Sequence, residues 1–69
     1  MSADAIRIGR RLLAGLARIE AMPERLRGDG RAMTPVLAKQ TATADEARAL
    51  GLTPAACINA AQAADKGKG

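Results

Sequence analysis

The chain has no histidine and no Phe, Tyr or Trp, and it has one cysteine. Each absence closes off a class of chemistry. Without histidine there is no side chain whose ordinary pKa suits acid–base work near pH 7. One cysteine and no histidine make no zinc-type ligand set and no internal disulfide, so Cys57 reads as a small buried hydrophobe in a reducing compartment. Without aromatics there is no platform on which single-stranded bases could stack. The run from Gly9 to Gly15 lacks the lysine and the spacing of a phosphate-binding loop. The expectation is a non-enzymatic protein with no cofactor and no metal.

Large aliphatics are scarce too. The 48% hydrophobic content is carried by seventeen alanines, while Leu, Ile and Val together number only twelve of 69 residues. That lies under the roughly 20% below which a chain struggles to fold unaided. No stretch reaches the roughly 18 apolar residues that span a bilayer. Arg10-Arg11 precedes only a short apolar run broken by Arg18 and Glu20, with no small-residue cleavage site, so neither export nor an organelle leader is expected. The expected location is cytoplasmic, and the Ala/Arg-rich composition is bacterial-like, as in a GC-rich genome.

What is present is one strong amphipathic pattern. Ala5, Ile8, Leu12, Leu16 and Ile19 recur at spacings of three and four and fall in one narrow sector of a helical wheel. Arg7, Arg10, Arg11 and Arg18 form a stripe beside them. The pattern predicts a helix over about 4–22, capped by Asp4 and stopped by Pro23. Residues 23–33, with the turn dipeptide Asp29-Gly30 and two glycines within three residues, read as a hinge. Thr34-Pro35 reads as a helix start, Thr43 to Glu46 as a capping box opening a short helix over 44–50, and Thr53-Pro54 as the start of a last helix over 54–65. Ala56, Ala60 and Ala63 are expected to make a small-residue packing face on that helix. Residues 66–69 read as a flexible basic tail. Alanine favours helix, and Val and Thr are too sparse for strands. The predicted fold is all-α: a single small domain of three to four short helices, with the N-terminal amphipathic helix packed on a C-terminal hairpin.

Residues 43–62 resemble a helix-turn-helix. Ala47 stands where the motif packs a small residue, Leu50-Gly51-Leu52 where it turns, Thr53 where it caps the second helix, and Cys57 at a core position of that helix. Glu46 departs from the pattern, where an aliphatic is usual. The resemblance implies DNA contacts through Asn59, Gln62 and Lys66, of which the first two could read adenine edges. Phosphate contacts would have to come from the arginines of the first helix.

The net charge is +4, and residues 1–31 carry seven arginines against four acids. The partner-binding set expected on this basis is Arg7, Arg10, Arg11 and Arg18 with Leu12, Leu16 and Ile19. The partner would be an acidic protein surface, with a helix-turn-helix-like regulator of nucleic acid as the alternative. Self-association would complete the small core. A membrane-surface role is the weakest reading, because no Trp or Phe marks an interfacial face.

Overall fold

A computed structural model describes residues 2–67. Four helices follow one another: α1 (Ala3–Ala21), α2 (Glu24–Arg27), α3 (Gly30–Ala49) and α4 (Pro54–Lys66). The all-α bundle expected from the sequence is what forms.

α1 begins one residue earlier than predicted, and its cap is Ser2 rather than Asp4. Ser2 keeps an extended backbone while its Oγ accepts the Ala5 N–H at 3.0 Å. Asp4 instead sits in the first turn, where its charge complements the helix dipole, and pairs with Arg7 at 3.3 Å. The helix stops as Pro23 requires: Met22 turns extended, with ψ at 139°.

The hinge is more ordered than its glycines suggest. Leu26 and Arg27 both donate their backbone N–H to the Pro23 carbonyl, making the single turn α2. Asp29 then caps α3, its Oδ1 accepting the Arg31 N–H at 2.9 Å. Gly30 therefore opens α3, and the predicted start at Thr34-Pro35 is overturned. Pro35 lies inside the helix. The bond it forfeits is the one to the carbonyl of exposed Arg31, where water can supply the missing donor. Thr34 returns its hydroxyl to the Gly30 carbonyl.

The capping box at Thr43 is overturned as well, because α3 runs unbroken through it. Thr43 is buried, and its hydroxyl donates to the Lys39 carbonyl at 2.9 Å, the back-bond of a helix interior. Glu46 is drawn elsewhere, by two arginines of α1. α3 ends in a Schellman turn. The Leu52 N–H reaches the Ala47 carbonyl at 2.9 Å and the Gly51 N–H reaches that of Arg48 at 3.0 Å. Gly51 supplies the left-handed residue, with φ at 77°. Thr53 caps α4 as predicted, its Oγ1 accepting the Ala56 N–H at 3.1 Å, with Pro54 in the first turn. The alanine face is corrected: Cys57, Ala60 and Ala61 are the buried residues of α4, while Ala56 and Ala63 are exposed. Of the predicted tail, Lys66 closes α4 and Gly67 caps it; residues 68–69 lie outside the described ones.

The core is one seam. Ala5, Ile8 and Leu12 from α1 meet Ala47 from α3, and Cys57 and Ala60 from α4. Gly9 lets α1 and α4 touch backbone to side chain: a Cβ there would overlap the Cys57 carbonyl and come within 2.8 Å of the Ala61 methyl. α1 and α3 run antiparallel, because Gln40 meets α1 at Leu12 while the later Glu46 meets it at Arg7 and Arg11. The molecule is flat, 38 × 30 × 13 Å across its Cα atoms. Its radius of gyration is 13.1 Å, against about 11 Å for a compact chain of this length. The thin dimension is what one helix packed on another spans, so the bundle is at most two helices deep.

Candidate functional site

Three of the four arginines singled out in α1 are engaged within the chain. Arg7 and Arg11 both grip Glu46, at 3.1 and 2.9 Å, and Arg10 holds Asp65 of α4 at 3.2 Å. The spacing of four that makes Arg7 and Arg11 repel in an isolated helix is what lets them close on one carboxylate from α3. Much of the basic stripe thus serves as a clasp that fixes α3 and α4 along α1. Glu46 is the residue that sequence reasoning missed. The sequence offered it as the acid of a capping box and as a misfit, a charge where the helix-turn-helix pattern wants an aliphatic.

The clasp leaves its mark on both partners. Hydrogen bonding from Arg7 outweighs desolvation and, with the nearby positive charge of Arg11, holds the Glu46 carboxyl below its usual range. The bond to Glu46, and secondarily to Asp4, raises Arg7. A carboxylate whose pKa falls on folding stabilises the fold above its unfolded pKa and loses that contribution as pH drops through the folded value. Glu46→Gln should therefore lower stability at pH 7 and flatten the decline between about pH 5 and pH 3. Urea titrations of both proteins across that range would measure it. An acid decline equally steep in both proteins would show that the clasp does not govern it.

Arg18 behaves differently. It makes no ion pair among the described residues, and neither does Lys39. Both line a groove of about 380 Å³ between α1 and α3, together with Arg11. The rest of the lining is Ala14 and Gly15 on one wall and Pro35, Val36, Gln40 and Thr43 on the other, and no carboxylate belongs to it. The Gln40 Nε2 crosses to donate to the Leu12 carbonyl at 3.1 Å, and Gly15 supplies the room: a Cβ there would overlap the Gln40 amide.

Burial is confined to one stretch of each long helix, although Leu50, at the buried end of α3, is itself 49% exposed. Every buried residue of α1 lies between Ala5 and Leu12, and those of α3 are Thr43 and Ala47. Of the twelve large aliphatics only Ile8 and Leu12 are buried. Leu16 is 44% and Leu37 50% exposed, and Ile19 is half-buried. The predicted binding set is therefore split: Leu12 belongs to the core, whereas Leu16, Ile19 and Arg18 lie in the half of α1 that contributes nothing to it. Leu37, at the facing end of α3, was not singled out, because the next large aliphatic after it is Leu50 and no stripe runs through it.

On α4, Asn59, Gln62 and Lys66 are all exposed. In the turn ahead of them, Ala47 and Cys57 are fully buried and Leu52 packs on the core. Among the described residues no three side chains of metal-binding type come together, and no helix is long and apolar enough to cross a membrane. No family model, curated protein or solved structure matches the chain.

Proposed function

We propose that the chain is an interaction module that docks, through the C-terminal half of α1 and the N-terminal half of α3, onto a partner with apolar and acidic side chains. The observation that carries this reading is where the core stops: no residue of α1 after Leu12 and none of α3 before Thr43 is buried, and Leu16 and Leu37 stand exposed there beside half-buried Ile19. An amphipathic helix of the partner laid against the open end would cover them. Charge favours an acidic one, since residues 13–40 carry five cations against three acids. These cations, Arg18, Arg25, Arg27, Arg31 and Lys39, form no ion pair among the described residues.

Panning a displayed library of helical peptides against the whole chain tests this. The enriched sequences should pair an apolar i, i+3, i+4 stripe with Asp or Glu. Their affinity should fall at least about tenfold for Leu16→Asp and Leu37→Asp, both of which change exposed positions. Enrichment that ignores these two substitutions would refute the docking surface.

A DNA-reading role has narrower support, in the Schellman turn and in the exposure of Asn59 and Gln62 on the helix after it. It lacks phosphate clamps on α4 itself, where Lys66 is the one cation. Duplex binding that weakens steeply with salt and is lost in Asn59→Ala and Gln62→Ala would replace the docking reading.

A further inference from the structure

We propose that the groove between α1 and α3 is a binding site for a small amphipathic carboxylate, its head held by Arg18 and Lys39 and its aliphatic body laid along Ala14, Pro35 and Val36. The site shares Arg18 and Lys39 with the docking surface but not Leu16 or Leu37, and it does not rest on that reading. On α3, Pro35, Lys39 and Thr43 follow one another at four-residue spacing and face the groove, whereas Met33 and Leu37 follow the same spacing on another face of that helix.

Three observations carry the assignment. The first is charge without compensation: Arg11, Arg18 and Lys39 line the groove, no acid does, and only Arg11 has a carboxylate partner, Glu46. Arg18 and Lys39 are the two cations without an acid among the described residues that border this space; Arg25, Arg27 and Arg31 are likewise unpaired but lie outside its lining. The second is size. About 380 Å³ falls in the range of small-molecule sites, roughly 300–1,000 Å³, and exceeds what a bare inorganic anion needs. The third is the character of the walls. The groove runs between helix interiors, where backbone N–H groups are already bonded, so the donors for an anion are side chains, and Ala14, Pro35 and Val36 supply apolar wall beside the Gln40 amide and Thr43. That arrangement suits a charged head on a hydrocarbon body better than a multiply charged phosphate, which favours free backbone amides. Gln40 sets the inner limit of the groove: its amide donates to the Leu12 carbonyl and lies over Gly15.

The experiment is a set of amide NMR titrations of the full chain with octanoate, acetate, octanol and inorganic phosphate, at constant ionic strength. Octanoate should saturate, with its shifts concentrated at Gly15, Lys39 and Gln40. Acetate and phosphate should bind at least tenfold more weakly, for want of a hydrocarbon body. Octanol should do the same for want of a charge. Arg18→Gln with Lys39→Gln should weaken octanoate at least tenfold while leaving the spectrum of the unliganded fold in place, since both side chains are exposed and outside every ion pair among the described residues. Octanoate shifts scattered over the surface, equal binding of octanol or phosphate, or full affinity in the double variant would each overturn the site. Peptide docking at Leu16 and Leu37 would survive any of these outcomes.

Discussion

Gly9→Ala is expected to cost about 2–3 kcal/mol and to release α4 from α1, although alanine in a helix interior ordinarily gains about 0.5–1 kcal/mol over glycine. The sign reverses because the added methyl meets backbone. The Cys57 carbonyl occupies its place and the Ala61 methyl stands 2.8 Å away, so neither neighbour can rotate aside. For a domain of this length the total stability is roughly 3–10 kcal/mol, so the substitution removes a large share of it. Two other glycines calibrate the effect. Gly15→Ala displaces the movable Gln40 amide and breaks its bond to Leu12, a smaller loss, while Gly30 has nothing within 4 Å and its replacement should be close to neutral. Urea denaturation followed by circular dichroism ranks the three. A Gly9 variant as stable as the parent would mean that α1 and α4 do not pack at this distance.

The second large effect separates two leucines that share one stripe. Leu12 is 4% exposed and touches the seam. Leu12→Ala removes most of a buried side chain and leaves a cavity, at about 2–5 kcal/mol, which in so small a core should leave the chain largely unfolded at 37 °C. Leu16→Ala, at a 44% exposed position, should stay within about 1 kcal/mol of the parent. Thermal melts of the pair give a direct reading. Equal losses would place Leu16 in a core that extends the length of α1, and the open docking end would not exist.

These two leucines also mark how far the sequence could be read. The 3.6-residue repeat identified α1 to within a residue, because that signal needs only the local chain. It could not say where along the stripe neighbours would arrive. Coverage depends on where α3 and α4 cross, and the crossing is fixed by Gly9 and Glu46, whose roles exist only in three dimensions. Thr53-Pro54 was a true helix start because α4 follows a forced stop at Gly51. Thr34-Pro35 has the same letters without such a stop before it, and the cap at Asp29 had already begun the helix. The open groove was the least legible feature, since Arg18 and Lys39 lie far apart in the chain and only the antiparallel hairpin brings them to one lining. Arg18 was legible as a charge beside a stripe, but not as the member of that stripe left without an acid.

The seam that makes Gly9 so intolerant also shields the chain's one thiol. Cys57 is fully buried, and its own carbonyl is the atom pressed against α1 at Gly9. A water-soluble thiol reagent reaches the sulfur only when α4 lifts away. The labelling rate thus reports how often the two helices part, and it does so on the native sequence, without an introduced probe. Molecules held together by a partner would label more slowly than free ones, which turns a residue with no reaction of its own into a clock for the breathing of the whole bundle.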